Sequence, residues 1–258
     1  MLAILKTGSA YLPLLPELLR AGIRRATAPL RLTWRRSWPY RRFLTGKLAD
    51  HIVFYPWDAP SRRLEDAESL LRGRFPFHGQ ELEVPEGISV FDLPAPSRTW
   101  LEALHGFLWL PALSSAGGEP ARRLATNLIG QWIRRNGRYS EPAWLPHVMA
   151  RRLANIFCHG RLVIMNSELT WRSRLFVSLR EQVRMLERIS QEAPDGLARL
   201  EAAAVLALSG ICLDDSERRL QTGLQRLETE LARQILPDGG HVTRSPEALL
   251  CAYRLVVM

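Results

Sequence analysis

The sequence predicts an all-α protein, and three observations carry that prediction. From Ser97 onward apolar residues recur at helical spacing almost without a break. The segments so marked run for about 15 to 22 residues and are joined by short loops of Pro, Gly and Asn, as antiparallel helical neighbours are. No stretch recurs at a fixed period, so the known solenoid families are not indicated and a layered helical ring or bundle is expected.

Taken in order, residues 8–50 read as one or two helices interrupted at Pro29 and Pro39. Residues 61–73 carry an N-cap serine, early acids, apolar residues at helical spacing and a closing glycine, which together mark a short helix. Alternation over 74–79 and 81–84 predicts a small β-hairpin, kept short or at an edge by Pro76 and Pro85, and 90–96 reads as an extended connector. Helices follow at 98–113, 120–136, 142–164, 169–190, 200–213 and 216–236. The one at 200–213 is apolar on all sides, as a buried helix is. The expected organisation is a basic N-terminal arm with helices (1–60), a short helix with the hairpin and connector (61–96), and the helical body (97–258).

The 258 residues, 47% hydrophobic and 24% charged, suffice for a full core as one large or two modest domains. The net charge of +9 is unevenly placed. Residues 1–50 hold ten Lys and Arg against Glu17 and Asp50, a local excess of eight. Such an arm suits an acidic polysaccharide, an anionic lipid surface or nucleic acid. Aromatics between arginines (Trp34, Trp38, Tyr40) are a nucleic-acid trait, but no RNA or DNA module is recognisable, so nucleic acid is not the expected partner. No apolar run has the length to span a bilayer, and Pro13, Pro16 and Glu17 break any signal-peptide core. Residues 11–32, apolar with basic residues following, could lie on a membrane surface. Cys158, Cys212 and Cys251 are far apart in apolar helical patterns, which predicts buried free thiols. No metal or cofactor is called for.

The chain is organised around Leu236-Pro-Asp-Gly-Gly-His-Val-Thr-Arg-Ser-Pro-Glu-Ala-Leu-Leu250. Pro237 and Gly239-Gly240 end one helix, and Ser245-Pro246 opens the next as N-cap and first position. His241 and Arg244 are thereby held in an irregular loop. Two readings are open from local chemistry: a functional loop, or a common Asp-Gly turn with a solvated histidine.

Residues 237–246 are similar to the Pro-Asp-Gly-Gly-His-x-Ser-Arg-Asn-Pro signature of bacterial heparinase II/III family proteins. Further stretches resemble the same family in order: Leu104-His-Gly-Phe-Leu-Trp-Leu110; Trp144-Leu-Pro-His with Arg151-Arg152 and His159; and Pro194-Asp-Gly-Leu-Ala-Arg-Leu-Glu-Ala202. The resemblance runs from about Leu64 to Leu250. It implies an incomplete α/α toroid followed, in the family, by a β-sandwich, and an activity of β-elimination on a uronate-containing acidic polysaccharide. It also implies a bacterial protein of the cytoplasm or cell envelope, of which this chain is the N-terminal part or a truncated product.

That chemistry needs a group to neutralise the uronate carboxylate, a base for the C5 proton and an acid for the leaving oxygen. The resemblance implies Arg199 or Arg244 for the carboxylate and His241 or Tyr253 for proton transfer, with Glu201, His105 and Arg152 as further substrate contacts. Structural alternatives stand beside these roles. Glu201 suits a helix start and could pair with Arg199; His105, beside Gly-Phe-x-Trp, points to the cleft or sits in the core; Arg151 and Arg152 cannot both face the core. The chain departs from the family where lyases place Asn or Asn-His (here Asp195-Gly196-Leu197) and where they place Tyr (here Glu247 to Leu250, with Tyr253 nearby). A non-catalytic module binding an acidic glycan or the envelope surface, or an inactive remnant, is the alternative.

Overall fold

The computed structural model describes residues 26–44, 51–57, 64–165, 167–213 and 217–257. The chain divides into two compact units, Met1–Phe43 and Leu44–Met258. In the first, α1 (Ala28–Arg36) has its proline in the first turn, where a missing N–H costs nothing. Ser37 ends α1 and starts α2 (Trp38–Leu44): its hydroxyl donates to the Trp34 carbonyl at 2.6 Å and accepts from the Tyr40 N–H at 3.4 Å. The two prolines thus begin helices rather than interrupt them. Most of the segment expected at a membrane surface lies outside the described residues.

The second unit begins with α3 (Leu64–Leu71), whose expected N-cap, Ser61, lies outside the described residues. Next comes the hairpin of β1 (Arg74–Phe77) and β2 (Gln80–Glu83), antiparallel with Phe75 opposite Leu82. His78 and Gly79 both have positive φ, 52° and 73°, as a two-residue turn matched to strand twist requires. Phe75 and Phe77 point inward, and Trp100 clasps the hairpin: its indole N–H donates to the Phe75 carbonyl at 3.1 Å.

The body continues through α4 (Arg98–His105), α5 (Leu110–Ala116), α6 (Gly118–Asn136), α7 (Pro146–His159), α8 (Arg161–Ile164), α9 (Leu169–Ile189), α10 (Leu197–Leu213), α11 (Glu217–Gln234) and α12 (Pro246–Val257). Twelve α-helices and one two-stranded sheet are present among the described residues. The architecture is the all-α, incomplete α/α toroid that the sequence predicts.

Two expected helices are broken. Residues 98–113 are not one helix, because Pro111 has no N–H to give and crowds the residue before it. The chain turns at Gly106-Phe107, with Phe107 at φ 57°, and restarts at Leu110. The carbonyls left at the end of α4 are met by side chains: Trp109 Nε1 donates to Leu104 O at 3.2 Å, Asn155 Nδ2 to Gly106 O at 2.8 Å, and Arg152 Nη1 to His105 O at 2.8 Å. Residues 142–164 likewise split into α7 and α8 at Gly160.

The buried helix α10 packs on α7, α9, α11 and α12. Its antiparallel partner α11 comes unusually near, because Gly223 faces the Ala207 backbone and Gly210 faces Leu220. A Cβ at Gly223 would overlap the Ala207 backbone. Gly223→Ala is therefore expected to destabilise by about 1–3 kcal/mol, although alanine is the better helix former. Thermal unfolding checks this, and an unchanged melting point would contradict the close approach.

Of the three cysteines, all free, only Cys212 is fully buried; burial, with Cys158 nearby, pushes its thiol up to about 12. Cys158 is half-buried and Cys251 exposed, so the expectation of three buried thiols holds for one. On α12, Ala248 and Ala252 face inward while Leu250, Tyr253, Val256 and Val257 are exposed. Among the described residues no helix is long and apolar enough to cross a membrane.

Candidate functional site

Two of the sequence-predicted residues, Arg199 and His241, lie at one end of the α10–α11 pair. Gly196, at φ 88°, makes the left-handed turn into α10, a conformation natural to glycine. Arg199, one turn into the helix, folds back: Nε and Nη2 both donate to the Ala193 carbonyl, at 3.1 and 2.9 Å, and Nη1 pairs with Asp195. At the other helix end Gln234 Nε2 donates to Gly196 O at 3.1 Å and to Glu230 at 2.9 Å. Arg233 completes the group, 3.1 Å from Glu230 and 3.6 Å from Asp195.

The loop after α11 is closed by its own backbone. Leu236 N–H donates to Gly240 O, Gly239 N–H to Leu236 O, both at 2.8 Å, and Val242 N–H to Gln234 O at 2.7 Å. Asp238 accepts from the Gly240 N–H at 3.0 Å and from Arg244 Nη1 at 2.5 Å. The Arg244 bond, then that backbone N–H, hold the Asp238 carboxyl below its ordinary range. Gly240 is small because the Arg244 guanidinium crosses directly over it.

His241 is 2% exposed, not solvated. Its Nδ1 accepts the Thr243 N–H at 3.2 Å and lies 2.8 Å from the Thr243 hydroxyl. Its Nε2 faces Gln234 Oε1 at 3.3 Å, so the proton belongs on Nε2. The imidazole thus bolts the loop to the end of α11, and Gln234 bolts α11 to the start of α10.

Glu201 does not pair with Arg199. It takes both ends of the Arg151 guanidinium, at 3.2 and 2.9 Å, linking α10 to α7. Nearby, His147 Nε2 lies 3.3 Å from Glu102, which also accepts from Arg98 at 3.0 Å. Burial raises the Glu102 pKa, but the bonds from Arg98 and His147 outweigh it and the net shift is downward.

His105 and Arg152 form a third group, inside the core. Arg152 is fully buried and bonds Gln182 Oε1 at 2.7 Å, His105 O at 2.8 Å and Ala143 O at 2.9 Å, with its guanidinium 4.0 Å over the Trp132 ring. Trp132 Nε1 donates to His105 Nδ1 at 3.1 Å. Burial, then the Arg152 charge, lower the His105 pKa to about 4, so its imidazole is neutral near pH 7. Tyr253 stands apart, 63% exposed on α12.

The fold therefore joins the turn before Arg199 to His241 through Gln234, closes Arg244 onto its own loop, and places Glu201 and the His105–Arg152 pair in separate groups. Sequence reasoning missed Gln234, Glu230 and Arg233. Their signal was the Glu230-x-x-Arg233-Gln234 spacing on the last turn before the loop, which puts Glu230 beside both partners. Among the described residues no cluster of three or more potential metal ligands occurs.

Solved structures similar to this chain include heparan sulfate lyases. A mutant heparan sulfate lyase HepC from Pedobacter heparinus aligns over 95% of this chain and 41% of its own, at 22% identity and a TM-score of 0.58. A heparinase III structure aligns over 94% of this chain and 41% of its own, at 18% identity and 0.57. The chain thus has the fold of the helical toroid part of heparinase III, as the signature resemblance implies. In sequence it is 30% identical over 241 residues to FtsZ-localized protein C of Caulobacter vibrioides, a match spanning 90% of this chain and 41% of that protein. The chain covers about two-fifths of each of these relatives. No protein-family model matches it.

Proposed function

We propose that this chain is the helical part of a heparinase-III-like protein that holds an acidic polysaccharide without cleaving it. The observation that carries the reading is the closed state of His241: buried, with both ring nitrogens engaged by Thr243 and Gln234. A general base must reach its proton, and this imidazole reaches only its own loop and helix. The departures at Asp195–Leu197 and at Glu247–Leu250 support the same conclusion. The basic 1–50 arm, with its excess of eight positive charges, supplies charge suited to carboxylates and sulfates.

The similarity to FtsZ-localized protein C supports localisation of the full protein with FtsZ. A fluorescent fusion of the full-length gene product is expected to co-localise with FtsZ.

The test of the glycan reading is incubation of the chain with heparan sulfate. Retained binding with no gain of unsaturated-uronate absorbance is expected. A steady gain would overturn it in favour of β-elimination, the second reading, which the exposed Tyr253 hydroxyl favours as a proton donor. Loss of that product in Tyr253→Phe would then assign the role.

A further inference from the structure

A pocket of about 350 Å³ opens between the end of α9, the first turns of α10 and the middle of α11. It lies at the small end of the range for ligand sites, about 300 to 1,000 Å³. Ser190, Arg199, Thr222, Gln225, Arg226 and Thr229 are among its lining residues. Four of these recur at 222, 225, 226 and 229, the spacing that stacks side chains along one face of a helix.

The pocket's charges are unequal. Glu230, also in the wall, is occupied by Arg233 and Gln234, and Arg199 is occupied by Asp195 and the Ala193 carbonyl. Arg226 makes no ion pair with a carboxylate among the described residues, although Glu187 lies near enough to act on its charge. Its Nη1 spends both protons, on Glu187 O at 2.7 Å and Ser190 Oγ at 2.6 Å. The nearby Glu187 carboxylate is instead 3.8 Å from Arg219. Among the described residues the Nε and Nη2 protons of Arg226, the edge that grips a carboxylate in bidentate fashion, have no hydrogen-bond partner. Thr222 and Thr229 donate to the Arg218 and Gln225 carbonyls, both at 2.8 Å, which leaves their oxygens as acceptors toward the pocket.

We propose that this pocket binds one carboxylate-bearing sugar residue, its carboxylate on the free edge of Arg226 and its hydroxyls donating to Thr222 and Thr229. A fixed half-buried cation selects the anion, and paired hydroxyl acceptors select a polyol over a simple anion. The choice of a sugar rests on the acidic-glycan reading, but the residues are separate from the loop at 237–244.

The experiment is titration of the whole chain with glucuronate, glucose and inorganic sulfate, followed by NMR or calorimetry. Glucuronate is expected to saturate, glucose to bind at least tenfold more weakly, and Arg226→Gln to weaken glucuronate about tenfold or more, as loss of a charge-assisted pair does. If Arg226→Gln melts early, Thr229→Val, which keeps the Arg226 ties to α9, is expected to weaken glucuronate about threefold and leave sulfate unchanged. Absence of glucuronate binding, binding indifferent to Arg226 in a folded variant, or sulfate competing as an equal would each overturn the proposal. Heparan sulfate binding that survives while glucuronate fails sinks this pocket alone; the reverse sinks the earlier reading alone.

Discussion

Arg152→Ala is expected to cost about 3–5 kcal/mol, as stranding several buried acceptors does, and to lower the melting point by about 10 °C or more. The side chain serves the backbone rather than a substrate. It satisfies the His105 carbonyl left where α4 ends, the Ala143 carbonyl before α7 and the Gln182 side chain on α9. Removing it leaves three buried acceptors unpaired at about 1–3 kcal/mol each, and opens a cavity as well. One cost is relieved in return. The guanidinium is buried without a carboxylate, its pKa driven well down by burial, and its Nη2 has no bonding partner. Contact with the Trp132 face compensates only in part. Arg152→Met, which fills the volume and removes the charge, should therefore lose about half as much as alanine. Chemical denaturation of the three proteins measures this, and a melting point within two or so degrees of wild type for alanine would refute the backbone role.

Acid is expected to weaken the fold through His105. The folded imidazole has a pKa of about 4, and an unfolded one about 6.5. Between those values the unfolded chain binds the extra proton, so stability falls as pH falls from 6.5 toward 4 and is flat above that window. The gap corresponds to a loss of about 3 kcal/mol at its lower end. Unfolding free energies at pH 7 and pH 4.5 test it. In His105→Asn the amide oxygen can accept the Trp132 bond but takes up no proton, so the slope over this window should shrink. An undiminished slope would place the acid sensitivity elsewhere.

Much of the fold was legible because its signals are local. The alternation over 74–84 and the Ser245-Pro246 helix start each specify a backbone shape within a few residues. The break at Phe107 was not legible, because Leu104 to Leu113 keeps helical apolar spacing throughout and only Pro111 objects. The site was legible in part. The motif at 237–246 marks the loop that follows α11, but the burial of His241 depends on Gln234, which lies on the preceding helix. Spacing offers Glu201 its neighbour Arg199, whereas the fold supplies Arg151 from fifty residues upstream. The role of Arg152 rests on carbonyls of residues 105 and 143, which no spacing rule connects to it.

The glycines that bring α10 and α11 into backbone contact also have a mechanical meaning. Two rods touching along their length, without long side chains between them as bearings, do not slide. The turn at 194–196 and the loop at 237–244 are carried on the same end of this double rod and stapled there by Gln234. A load applied to either loop is transmitted to the other as to two jaws cut from one piece.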